Sequence, residues 1–270
     1  METIGIDAGS TNIKIIAIDE TGKVKNKSIL KNCNIEQALE KFIEQTRINP
    51  SEISKIVLTG IRQKEIIGNI KNIRTVKVDE FEAIGKGATY LANTKNALII
   101  SIGTGTAFVK ADEGKYTHIG GTGVGGGTLI NLCKKLANLQ SFNEIEKRIK
   151  NADISKIDLR LKDIQKNAIN NLLPEEITVA NFGKLQEDAN NDDITLGILN
   201  MVIETIGMMG IFATQNTQNK NIIVIGCITE LEYVKKVLDM LSNLQNVNFI
   251  IPENSEWAVA LGAIQAINCN

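Results

Sequence analysis

The chain has 270 residues, 43% of them hydrophobic, enough for one large or two medium domains with a substantial core. Its 30 basic and 31 acidic side chains leave a net charge of −1, which offers no electrostatic footprint for nucleic acid or an anionic membrane and points to a small-molecule partner. No charged-then-apolar leader opens the chain and no apolar run approaches the roughly 20 residues of a membrane span, so a cytoplasmic protein is expected.

Thr3–Asp7 reads as a strand that ends in the small-residue turn Asp7-Ala8-Gly9-Ser10-Thr11-Asn12. Ile13–Ile18 and Lys23–Ile29, separated by Asp19-Glu20-Thr21-Gly22, complete an antiparallel meander. Ile35, Leu39, Phe42 and Ile43 recur at helical spacing. Ile56–Leu58 is a short strand running into Thr59-Gly60, and Val76 and Val78 precede a helix that starts near Asp79. The pattern then restarts. Ala97–Ile102 ends in Gly103-Thr104-Gly105-Thr106, Ala107–Ala111 and Tyr116–Ile119 form the next strands, and a glycine-rich stretch leads to a helix from about Thr128. Aligning Asp7–Thr11 with Gly103–Thr106 makes this an architectural repeat. The expected fold is α/β with two similar lobes, residues 1–95 and 96–270, the second carrying a helical insertion.

Residues 141–171 read as helical and peripheral. Ile194–Thr214 is apolar around most of its circumference and reads as an interlobe core helix, with a dimer interface as the alternative. Cys33, Cys133, Cys227 and Cys269 show no paired spacing and are read as buried free thiols in a reducing compartment.

Three stretches carry chemistry. A nucleoside triphosphate needs many donors close to its oxygens, and glycine lets backbone amides approach. Gly9, Ser10 and Thr11 offer amides and hydroxyls at one strand end, and Gly103, Thr104, Gly105 and Thr106 at another. Asp7 is placed to hold Mg²⁺ through water, and Lys14 to bring an ammonium to a phosphate. In Gly120–Gly127 six of eight residues are glycine, and the stretch runs from a strand straight into an apolar helix, whose amino terminus favours anions. Gly-Lys-Ser/Thr is absent, so this is not a Walker loop. Asp79 followed by Glu82 resembles a capping box, which leaves Glu80 unselected by spacing alone.

Taken together, the Asp7–Thr11 opening with Lys14, Glu80-Phe81-Glu82-Ala83, Gly103–Thr106, Gly120–Gly127, Ala180-Asn181-Phe182-Gly183, Ile222–Gly226 and Trp257–Gly262 resemble the type II pantothenate kinases. That family belongs to the sugar kinase/actin/heat-shock-ATPase superfamily, with its actin-like, ribonuclease H-like fold around a nucleotide cleft. The resemblance implies a homodimer that phosphorylates pantothenate with MgATP, the first step toward coenzyme A. It implies Glu80 as catalytic base and Gly226 at the adenosine segment. Gly121, Gly123, Gly125, Gly126 and Gly127 join the phosphate-binding residues, and Glu82, His118 and Ala107 line the acceptor side. Two positions depart from the family pattern: an arginine ahead of the glycine-rich stretch is His118, and a serine after the second turn is Ala107. Kinases for another small alcohol or amino sugar, and a non-catalytic nucleotide or acyl-coenzyme A switch, stay open as alternatives.

Overall fold

The computed structural model describes residues 1–164 and 175–268. Strands β1 (Glu2–Ala8), β2 (Asn12–Ile18) and β3 (Val24–Lys31) form the expected meander. Helix α1 (Ile35–Thr46) starts at an Asn34 cap and buries Ile35, Ala38, Leu39 and Phe42 on one stripe. It returns the chain so that β4 (Ile53–Thr59) lies parallel to β1, with β5 (Thr75–Lys77) parallel beside it. The first sheet is ordered β3-β2-β1-β4-β5.

Helix α2 (Glu80–Leu91) joins this sheet to a second meander, β6 (Ala97–Ile102), β7 (Thr106–Asp112) and β8 (Lys115–Thr122). Then come α3 (Gly126–Leu136), α4 (Ile145–Ile149), β9 (Leu159–Arg160), α5 (Leu161–Ile164), β10 (Thr178–Ala180) and α6 (Asn191–Thr214). Strand β11 (Asn221–Ile225), α7 (Glu232–Gln245), β12 (Asn248–Ile250) and α8 (Ala258–Asn268) complete the described chain. The second sheet is ordered β12-β11-β6-β7-β8, so both sheets share one topology.

The register corrects the repeat alignment. Asp7 pairs with Lys14 and Thr59, whereas Ser101 pairs with Ala107 and Ile225. Gly60 and Gly226 follow Thr59 and Ile225, both at positive φ (93° and 122°) and both pressed against the end of the neighbouring central strand. Ser101, not Gly103, is therefore the counterpart of Asp7.

Among the described residues, three apolar cores alternate with the two five-stranded sheets. Helix α1 covers the outer face of the first sheet, and α3, α6 and α7 cover the outer face of the second. Helices α2 and α8 fill the space between, against Ile16, Val57, Ile99, Val109 and Ile223. These two helices cross so closely that a Cβ at Gly87 would overlap the Ala258 carbonyl, and one at Gly262 the Ala83 carbonyl. The interlobe helices are thus α2 and α8. Helix α6, expected there, lies in the outer core of the second lobe. By length and composition α6 could cross a membrane, with a hydropathy of 1.7 over its most apolar window, but its buried residues are spent on that core. Of its large apolar side chains only Phe212 is exposed.

Within 141–164 the expected peripheral helix is a run of short turns and small elements, with Ile145 and Ile157 fully buried. Residues 165–171 of that segment lie outside the described residues. Asp158, also fully buried, accepts from the Phe182 amide (2.8 Å) and from Asn200 of α6 (2.8 Å), which anchors the insertion to the core. Among the described cysteines, Cys133 is buried and its thiol is pushed up to about 12, while Cys33 and Cys227 are only partly covered.

Candidate active site

The turns that follow the central strands β1 and β6 of the two large sheets meet. Ile6 and Ala8 of β1 point into the outer core, so Asp7 between them faces inward, toward α2 and α8. The first turn follows, and its hydroxyls meet the second turn directly: Ser10 Oγ and Thr11 Oγ1 each lie 2.9 Å from Thr104 Oγ1. Among the described residues, no protein group accepts from the amides of Gly9, Ser10, Thr11, Thr104 or Gly105. A double row of amides and hydroxyls of this kind can cradle an anion.

The glycine-rich stretch is not a single loop. Gly120 and Gly121 belong to β8, where they pair with Phe108 and Ala107, and α3 starts at Gly126, earlier than expected. The Gly126 and Gly127 amides donate to the carbonyls of Gly103 (2.9 Å) and Thr104 (2.8 Å). Two amides at the α3 amino terminus therefore hold the second turn in place rather than waiting for a phosphate. The glycines are there for contact between backbones. A Cβ at Gly125 would lie 2.7 Å from the Gly105 carbonyl carbon, and one at Gly126 2.8 Å from the Gly103 oxygen. Gly123 has no such neighbour. Thr106 closes the assembly by donating to the Val124 carbonyl at 2.8 Å.

Gly226 sits against Ile102, the residue just ahead of Gly103, and its carbonyl accepts from Thr229 Oγ1 at 2.7 Å. Lys14 is Asp7's register partner, and its ammonium donates to the Glu256 carbonyl (2.8 Å), tying β2 to the turn before α8. One of its three donors is thus already committed.

Asp79 caps α2 by accepting from the Phe81 (2.9 Å) and Glu82 (3.2 Å) amides, but no reciprocal bond from Glu82 closes the expected capping box. This cap fixes Glu80 as the first helical residue. Desolvation raises the Glu80 carboxyl above its ordinary value, reinforced by the negative charges of Asp7 and Asp79, so Glu80 and Asp7 share one electrostatic environment. Burial also raises Asp7, opposed by Lys14. The next side chain, Phe81, stacks on His118 with ring centroids 4.1 Å apart and planes 12° from parallel. His118 thus flanks the Glu80 end of α2. Ala107 lies partly buried on the inner face of the second sheet, beside Ser101 and Gly121. Glu82 is not brought into this group: it is exposed, and 3.6 residues per turn place it on the opposite side of α2 from Glu80.

The structure adds residues that sequence reasoning passed over. Thr59 is fully buried, its Oγ1 has no partner among the described residues, and it neighbours Asp7 across the β1–β4 ladder. Asn12 Oδ1 is likewise buried without a partner. Gly60 and Ser101 mirror Gly226 and Asp7. Only the Leu-Thr-Gly ending of β4 was a legible signal for any of them.

A comparison with protein families matches residues 96–247 to the Fumble model, more than half of the chain. The chain belongs to the Fumble family. It is 29% identical over 273 residues to the type II pantothenate kinase of Oceanobacillus iheyensis, an alignment covering 98% of this chain and 99% of that one. Two solved structures share the fold. One is the activator of 2-hydroxyisocaproyl-CoA dehydratase from Clostridium difficile with bound ADPNP (TM-score 0.69, 16% identity, 100% and 98% of the two chains). The other is a ROK family glucokinase from Streptomyces griseus with glucose and AMPPNP (TM-score 0.63, 12% identity, all of both chains). This Fumble protein therefore has the expected actin-like ATPase fold, two lobes with mixed sheets.

Proposed function

We propose that this chain is an ATP-dependent kinase that transfers the γ-phosphoryl group to a hydroxyl of pantothenate. The observation that carries the reading is the meeting of Ser10 and Thr11 with Thr104 at the end of the strand that carries Asp7, whose negative charge adds to the desolvation that raises Glu80. The curated relatives named type II pantothenate kinase, aligned over nearly their whole length, support the acceptor.

In this reading the amides and hydroxyls of Gly9–Thr11 and Thr104–Gly105 bind the phosphates. Gly103, Gly125, Gly126 and Gly127 hold the second turn in its place, and Gly226 lies at the adenosine side. The donor set fits a hydrated Mg²⁺: it consists of hard oxygens, and among the described residues no group of three or more His, Cys, Asp or Glu forms a direct cage. Asp7 would hold the ion through water, and when bound it neutralises charge on the phosphates. Glu80 accepts the proton of the acceptor hydroxyl as its oxygen bonds to the γ-phosphorus. The bond from that phosphorus to the bridging oxygen breaks, and ADP leaves. His118 and Ala107 lie on the acceptor side. A cytoplasmic homodimer is part of the same proposal.

The deciding measurement is ADP release by the purified chain with MgATP and a panel of small alcohols, pantothenate first. Pantothenate-dependent ADP release with formation of the phosphate ester is expected. Turnover with another alcohol and none with pantothenate would move the acceptor assignment, and a chain that does not bind MgATP would end the kinase reading.

A further inference from the structure

Among the described residues, three buried side-chain polar atoms lack a hydrogen-bond partner: Glu2 Oε2, Asn12 Oδ1 and Thr59 Oγ1. Two of the three flank Asp7. Thr59 is Asp7's register partner on β4, and Asn12 opens β2 two residues before Lys14, Asp7's partner on the other side. Ile6, Ala8, Ile13, Ile15, Ile56 and Leu58 fill the outer core, so Asn12, Asp7 and Thr59 share the inner face with Lys14. A buried hydroxyl without a partner is costly, and valine would fill the same β-branched shape on this strand at no such cost.

We infer that Thr59 and Asn12 are positioning residues that seat the hydrated cation held by Asp7. The chemistry divides between them. The Thr59 hydroxyl, fully buried on the strand beside the partly open Asp7, is the free donor available to the Asp7 carboxylate when the cation is held, leaving the other carboxylate oxygen to meet a metal-bound water. Asn12 Oδ1 has only acceptor capacity, which suits a proton of a second such water. Lys14 supplies charge rather than an acceptor: one of its donors is held by the Glu256 carbonyl, and an ammonium cannot accept from a metal-bound water. The inference rests on the proposed use of Asp7 at a Mg–nucleotide site.

The test compares Thr59→Val, Thr59→Ser and Asn12→Leu with wild type in the full chain. ATP affinity is measured by calorimetry with Mg²⁺ and with EDTA, and Tm is measured without nucleotide. For Thr59→Val the expected result is a Tm equal to or above wild type and unchanged affinity in EDTA. The gain in ATP affinity on adding Mg²⁺ should shrink about tenfold, the usual scale for losing an outer-shell partner of a metal ligand. Thr59→Ser restores the gain, and Asn12→Leu loses part of it. A Thr59→Val protein with the full Mg²⁺ gain overturns the inference and leaves the kinase reading intact. So does one with a lowered Tm whose ATP affinity falls equally with and without Mg²⁺. Wild type that gains nothing from Mg²⁺ takes both down.

Discussion

Glu80 works under opposing demands. A base must be ionised to take a proton, yet desolvation and the charges of Asp7 and Asp79 disfavour its ionised form. A raised carboxyl is better matched to proton transfer near neutrality, so the cost to ionisation is also the source of reactivity. Glu80→Gln should lower kcat by about 10²–10⁴-fold, the range of a lost acid–base catalyst, while calorimetry shows MgATP binding kept. The sign of the pH effect follows from the causes. Activity falls as pH drops through the raised Glu80 value, so the acid limb of kcat/KM lies above the ordinary glutamate range. Asp79→Asn removes one of the charges that raise it, and asparagine still caps α2. The acid limb should then move to lower pH with little change in Tm; a limb that stays put would detach Glu80 from the proton transfer. At this scale, Asp7 and the hydroxyls of both turns were legible from their strand-end spacing. For Thr59 only the strand ending Leu-Thr-Gly is legible; its hydroxyl without a partner and its register with Asp7 leave no trace in the sequence.

For the elements, the glycine-rich stretch shows what a sequence pattern conceals. Glycine density marked the place but could not separate strand end, turn and helix start. It suggested free amides where two are bonded to the second turn. Gly126 and Gly123 look equivalent in the sequence and are opposite in structure. A Cβ at Gly126 meets the Gly103 carbonyl, which is backbone and cannot swing away, whereas one at Gly123 meets nothing within 4 Å. Gly126→Ala should displace the second turn, weaken ATP at least tenfold in a binding titration and lower Tm by several degrees, as overpacking costs typically about 1–3 kcal/mol. Gly123→Ala should leave both near wild type. Equal effects of the two substitutions would mean that flexibility of the whole stretch, not packing of the turn, matters. Helix α6 is a related case: it lies in the outer core rather than between the lobes, and an apolar circumference signals burial but not which core receives it.

At the level of the whole molecule, the repeat was visible as strand, small turn, strand, charged turn, strand, occurring twice. Matching glycine to glycine puts the repeat two residues out of step, because ladder pairing matches Asp7 to Ser101 in the two lobes. The return of α8 to the first sheet was illegible, since an apolar helix does not announce its distant partner. That return is the main link between the lobes: α8 packs on α2, β1 and β4 while following β12 of the second sheet. A chain ended at residue 257 should lose cooperative unfolding and expose apolar surface, read as dye binding and a broadened thermal transition. A sharp, unshifted transition would show that α2 alone secures the lobes.

The placement of α8 also bears on how the molecule is made. The ribosome releases β1 about 250 residues, and β4 about 200 residues, before the helix that shields their inner side, as the spacings of Gly5 and Thr59 from Ala260 show. Throughout that interval the early strands present an unprotected apolar surface, the kind that recruits chaperones or seeds aggregation. Contacts of such long sequence separation also slow folding. Nascent chains halted before residue 258 should therefore remain bound to holding factors, and release should coincide with emergence of the final turns of α8.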